Sequence, residues 1–242
     1  MKRFGRLPDK SDEQAFLKTI VVAMLVVTVG ALSVLGYVHY KSQPHGLSKD
    51  PDLATLEIYE HNKDYTKLIN TLYTNRDKAY STKVLPWLHD REDKGFAPYY
   101  YAQALHMNNL GNQKEAILYY FAGGLVARID LLRCLDKTAE TMIAALESPF
   151  PDVPKYLEEN PGNKVSAGTF AVEMEEFTKD RSPAEWLCLQ GDDAEKYKYY
   201  PYFPDDEWMG RREIAIDSFR KVMSERKDED DEDEKKPATA AP

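Results

Sequence analysis

Five histidines, two cysteines and a cluster of glutamates are the residues through which this chain could do chemistry. His39, His45, His61, His89 and His106 fall singly. No pair has the H-E-x-x-H spacing that sets two imidazoles on one helical face to hold zinc. Cys134 and Cys188 lie far apart and form no C-x-x-C, so neither a metal ribbon nor a thioredoxin-type redox pair is expected. Both sit in apolar, helical-looking surroundings, LLRCLDK and EWLCLQG. They read as two buried free thiols packing as small hydrophobes, with a disulfide as the alternative in an oxidising compartment. Glu173, Glu175 and Glu176 in VEMEEF could supply the paired carboxylates of glycoside hydrolysis. On a helix 175 and 176 point apart while 173 and 176 share a face, the pattern of a solvated acidic face. The sequence has no P-loop, no G-x-G-x-x-G and no G-x-S-x-G. No catalytic residue, cofactor site or metal site is expected, and an envelope enzyme working through the glutamates of the C-terminal half is the alternative.

Recognition is the other chemistry on offer. Tyr197, Tyr199, Tyr200, Tyr202, Phe203 and Trp208 crowd into KYKYYPYFPDDEW. Tyrosine and tryptophan concentrate at protein interfaces, so this arm is a candidate contact surface. The competing reading lays the arm on the helical domain with its aromatics down. The YYY at 99–101 divides similarly: Tyr100 falls in the core register, while Tyr99 and Tyr101 are candidates for exposure.

The elements that must hold these residues are helical. Leu53, Leu56 and Tyr59 recur at helical spacing after a Ser48 or Asp50 cap, with Pro51 near the first turn. YTKLINTLY continues the pattern. A third helix, capped by Ser81 or Thr82, runs to Leu88 and is bent or shortened by Pro86. FAPYYYAQALHMNNLG is a fourth, ended by Gly111. QKEAILYYFAGG is a fifth, broken or kinked by Gly123-Gly124 before a long sixth that ends in AALES. Past Ser148 prolines punctuate loops and short helices, among them SAGTFAVEMEEFTKD and SPAEWLCLQ. The last amphipathic helix carries Ile214, Ile216, Phe219 and Val222. No stretch alternates as a strand would. The acid run from Asp228 to Glu234 repels itself, so an unstructured tail is expected over 228–242.

The 242 residues are 43% hydrophobic, ordinary for a globular chain, and carry a net charge of −9. There is no basic stripe for nucleic acid. Residues 19–40 contain no ionised side chain and are long enough for a membrane helix. Five bases precede this run and only Lys41 and Lys49 follow closely, which predicts a cytoplasmic N-terminus. The expected organisation is a cytoplasmic segment (1–18), a transmembrane helix (19–40), a linker (41–51), a helical repeat domain (52–148), a helical extension with the aromatic arm (149–227) and the tail.

The opening helices also carry a family pattern. Tyr100, Ala104, Met107, Leu110, Ala116, Tyr120 and Gly123 fall where a tetratricopeptide repeat puts its large and small core residues. This region resembles that family, in which antiparallel helices pack through small residues. Ala104 and Ala116 would let two backbones approach, and Gly111-Asn112 would make the short turn. A degenerate second copy, YEHNKDYTKLINTLY, lies 48 residues earlier. It replaces the small residues with Leu56 and Leu68, and its spacing departs from the family's 34-residue period.

The expected fold class is all-α: one transmembrane helix, a small tetratricopeptide-like domain and an irregular helical extension. The resemblance implies a non-catalytic adaptor or assembly factor, as in a secretion, export or conjugation apparatus. Its partners would be proteins of a membrane complex, with the bilayer engaged through residues 19–40. The same surfaces are compatible with a homo-oligomer. A purely structural subunit is a further alternative. The expected location is the bacterial inner membrane with the soluble domain in the periplasm.

Overall fold

The computed structural model describes the backbone of residues 47–234 and side chains as far as residue 222. The chain divides into two compact units, 1–61 and 62–242. In the first, helix α1 spans Pro51–His61. Its start follows from the residues before it. The Asp50 carboxylate accepts from the backbone N–H of Asp52 at 2.9 Å and of Leu53 at 3.3 Å. Two amide groups at a helix start otherwise have no partner, and Pro51 contributes none.

The second unit opens with α2 (Tyr65–Thr74) and α3 (Lys78–His89). Asp77, rather than the expected Ser81 or Thr82, caps α3, accepting from Ala79 and Tyr80. The Thr82 hydroxyl instead donates back to the Lys78 carbonyl, four residues earlier, and that of Ser81 lies 3.0 Å from the Asp77 carbonyl. A carboxylate one turn upstream is the stronger acceptor, so the helix starts there.

Helices α4 (Ala97–Asn109) and α5 (Gln113–Arg133) form an antiparallel hairpin. Gly111 takes φ +90° at its turn. The N–H of Asn112 donates to the Met107 carbonyl at 2.9 Å, and that of Gly111 to Asn108 at 3.0 Å. These two bonds, with glycine in the left-handed position, are how a helix closes its last carbonyls before a sharp turn. The hairpin buries Tyr100, Ala104 and Ala116, with Met107 and Tyr120 half-buried.

The break expected at Gly123-Gly124 is absent, and α5 runs straight through it. The glycines serve contact, not bending. A Cβ on Gly123 would stand 2.9 Å from Cδ2 of Tyr101, so the ring of α4 occupies the space that any side chain would need. Helix α5 ends instead at Cys134, whose extended backbone turns the chain toward α6 (Glu140–Glu147). It is the spine of the unit: α4 packs along one side of it and α8 (Pro161–Phe177) along the other. The short α7 (Val153–Glu159) precedes α8, and two single-turn helices follow it, α9 (Glu185–Cys188) and α10 (Ala194–Tyr197).

Helix α11 spans Asp205–Glu234 and packs on α8 and α5. It includes the acid run 228–234 expected to be unstructured; adding residues to an existing helix needs no new nucleus. Residues 235–242 lie outside the described part. Of the four apolar positions expected on one face, Ile216 is buried and Phe219 packs beside it, while Ile214 and Val222 are exposed.

Among the described residues the regular elements are helices, joined by one isolated antiparallel bridge between Cys134 and Tyr202. The all-α expectation fits this. The membrane part of the expected fold class does not stand: no helix of the described residues is long and apolar enough to cross a membrane. The span expected at 19–40 and the segment before it lie outside the described residues. The inner-membrane location that rested on that span falls with it.

Candidate binding surface

The end of α5 is built into a small platform. Cys134 forms a disulfide with Cys188, so the cysteines are not the free thiols expected. Each sits at the end of its helix, where the two chain ends converge. Both are fully buried. Around this bond the residues before and after Cys134 hold the aromatic arm. The N–H of Leu135 donates to the Pro201 carbonyl at 2.8 Å, and the N–H of Phe203 donates to the Arg133 carbonyl at 2.9 Å.

A second clamp holds the loop that leads into the arm. The Asp136 carboxylate accepts from the Thr138 hydroxyl at 2.6 Å and from the Asp193 N–H at 2.8 Å. The Thr138 hydroxyl in turn accepts from the N–H of Asp192 at 2.7 Å. These hydrogen bonds, that from the Thr138 side chain foremost, hold the Asp136 carboxyl below the usual carboxylate range. An ionised acceptor makes the stronger bond, so the clamp is strongest when Asp136 is charged.

The arm's aromatics divide by direction. Trp208 is buried, with the Arg133 guanidinium 4.4 Å from its ring, and Arg133 also pairs with Asp205. Tyr202 packs half-buried against the core. Phe203 lies between the Arg211 guanidinium at 4.1 Å and the Lys137 ammonium at 5.3 Å. Tyr197 is half-buried beneath Lys196. Only Tyr199 and Tyr200 project, 79% and 82% exposed.

The other candidates lie inside. Tyr99 and Tyr101 are as buried as Tyr100 and cannot present themselves at the surface. Tyr99 is enclosed by Trp87 and Phe96. Tyr101 donates to Glu147 at 2.9 Å, and burial pushes its hydroxyl well above the usual phenol range. Periodicity missed this because α4 is surrounded, so three consecutive positions all face other elements.

Of the glutamates, Glu173 is exposed. Glu175 is fully buried, contrary to the solvated face expected. Its carboxylate meets Arg212 Nε at 2.8 Å and Arg181 Nη1 at 3.0 Å. Arg181 also holds Asp130 at 2.8 Å, and Glu176, half-exposed, pairs with Arg212 at 3.3 Å. Burial pushes the Asp130 carboxyl up to about 6, opposed by Arg181. The chain Asp130–Arg181–Glu175–Arg212 ties α5, the 178–181 turn, α8 and α11. The basic partners stand far off in sequence, which is why the acidic run alone read as solvated. With an arginine beside each oxygen, Glu175 belongs to this buried ion-pair network.

His106, which the sequence left unassigned, is a buried structural group. Its Nε2 bonds the Leu72 carbonyl and its Nδ1 the Ser81 hydroxyl, each at 3.0 Å. Burial lowers its pKa to about 4, so the ring is neutral. A protonated Nε2 donating to the carbonyl leaves Nδ1 to accept from Ser81. No group of histidine, cysteine, aspartate and glutamate among the described residues is arranged to hold a metal ion.

No protein-family model matches the chain, and neither characterised proteins nor solved structures show significant similarity to it.

Proposed function

We propose that this domain is a non-catalytic binding module that engages a protein partner through Tyr199 and Tyr200. The observation that carries the reading is their exposure beside a fixed base. Two large aromatic side chains stand in solvent, while the next residues are hydrogen-bonded to both sides of a buried disulfide. Interface hot spots are enriched in tyrosine, and a pre-organised anchor loses less entropy on binding than a mobile one. The half-buried Tyr197 and the edge of Phe203 extend the same surface. A tetratricopeptide-like origin for the α4–α5 hairpin is compatible with this reading and rests on the buried Tyr100, Ala104 and Ala116 alone.

The test is site-specific photo-crosslinking in the producing cells. A photoreactive residue at 199 or 200 should give one discrete adduct, and the same residue at the exposed Glu173 or Lys179 should not. Tyr199→Ser with Tyr200→Ser should remove the adduct formed from position 197 without lowering the unfolding temperature. An identical set of adducts from all four positions, or none from 199 and 200, would remove the arm from consideration.

A further inference from the structure

We infer that a cleft beside the N-terminal half of α5 binds a small organic cation, an ammonium group carrying alkyl substituents. The cleft lies where α5 meets the chain between α6 and α7, apart from the tyrosine arm. It spans about 430 Å³ including its open mouth. Its enclosed part is about 60 Å³, room for a small head group rather than for the drug-sized ligands of roughly 300–1,000 Å³ sites. Tyr120, Phe150 and Tyr156 line it together with the exposed acid Asp152. The negative face of an aromatic ring attracts a cation, and alkylated ammonium ligands are held in just such groups of rings.

The rings are set before any ligand arrives. Phe150 meets Tyr120 edge-on, with centroids 5.1 Å apart, and its N–H donates to the Glu147 carbonyl at 3.0 Å. Prolines on either side of Phe150 restrict the backbone there. The Tyr156 hydroxyl accepts from the Asn163 amide at 2.9 Å, which fixes that ring from behind. Ile117 and Val153 complete an apolar wall suited to N-alkyl groups.

Charge selects the ligand class. Glu147, another acid that meets a tyrosine in this unit, is matched by Arg128. Asp152 stands at the cap position of α7, yet its carboxylate makes no capping hydrogen bond. No lysine or arginine among the described residues lines the cleft. An anion would be repelled by this carboxylate, and a neutral ligand would gain no charge attraction from it. A hard metal ion needs about six or more oxygen ligands, whereas one carboxylate is offered here. An alkylammonium ion satisfies both the rings and the acid.

The experiment titrates the full chain with choline and, separately, with 3,3-dimethylbutanol, which has the same shape without the charge. Methyl resonances of Ile117 and Val153 report occupancy, and calorimetry gives the affinity. Choline should shift both signals saturably and bind at least about tenfold more tightly than the alcohol, since the attraction is electrostatic. Asp152→Asn, at an exposed position, should erase that difference while the circular dichroism stays unchanged. Tyr156→Leu should weaken choline at least about fivefold and leave the alcohol unaffected. Phosphatidylcholine vesicles form a second arm. Vesicle binding lost in Asp152→Asn assigns the cation to a lipid headgroup; choline binding without vesicle binding assigns it to a free compound. Equal binding of choline and the alcohol, or no saturable shift with choline, overturns the inference.

Discussion

Gly123 of α5 lies directly against the ring of Tyr101 of α4, leaving no room for a single added carbon. The ring cannot retreat, because it is fully buried, bonded to Glu147 and flanked by Tyr120 and Phe150. Gly123→Ala should therefore destabilise the unit. Overpacking typically costs ~1–3 kcal/mol, which outweighs the gain of up to ~1 kcal/mol in helix propensity. Gly210 of α11 is the control, since nothing lies within 4 Å of a Cβ there. Gly210→Ala should stabilise, by up to ~1 kcal/mol. Urea unfolding of the two variants should give opposite signs, and matching signs would show that Tyr101 yields.

The disulfide closes a sequence separation of 54 residues. On the chain-entropy account a loop of this length contributes about 4 kcal/mol. Replacing both cysteines with serine should lower stability by an amount of that order. Thiol titration of the denatured, unreduced protein should find no free thiol. Two thiols per chain would contradict the bond.

Glu175 and Glu176 are adjacent but should respond very differently to truncation. Glu175→Ala leaves Arg181 and Arg212 short of a buried partner, and breaking such a pair costs about 3–5 kcal/mol. Glu176→Ala removes a half-exposed pair, for which about 0–1 kcal/mol is usual. Chemical denaturation at one pH separates them, and equal losses would refute the assignment of the buried network.

Two buried groups pull stability in opposite directions as pH changes. His106 titrates at about 4 in the fold, below its ordinary 6.5. Its contribution is present above 6.5 and is lost as pH falls toward 4. Asp130 titrates at about 6, above its ordinary 3.8. Its contribution is present below 3.8 and is lost as pH rises through 6. Each amounts to roughly 3 kcal/mol at ~1.4 kcal/mol per unit, so over the shared window they offset. The wild-type protein should vary little from these two groups between pH 4 and 6. His106→Gln, whatever its baseline, should gain stability on acidification across that range. A His106→Gln profile parallel to wild type would show that the imidazole is not held neutral by burial.

How much of this could be read from sequence depends on where each partner lies. The helices α1, α2 and α4 announced themselves through local spacing, and the turn at Gly111 through glycine chemistry. The Gly123-Gly124 pair misled because its role is set by Tyr101, a residue of another helix. Asp77 caps α3 although Ser81 and Thr82 stand nearer its apolar residues, so local sequence alone points to the wrong cap. Tyr199 and Tyr200 were named with four other aromatics, but nothing local says which of six point outward. The buried state of Glu175 depends on Arg181 and Arg212, and that of Cys134 on Cys188. Pairings across such distances are made by the fold and leave no trace in a window of neighbouring residues.

The bond between Cys134 and Cys188 also turns the intervening chain into a closed ring that contains α6, α7 and α8. A protease that nicks the proline-marked loops near 149–153 or 160 would open this ring without releasing a fragment. The severed pieces would stay one covalent molecule, with the tyrosine arm still fastened to the end of α5. Loss of an intact band on a reducing gel, with retention on a non-reducing one, would be the mark of such a nick. A cut in these loops thus costs the exposed tyrosines neither their attachment nor their base.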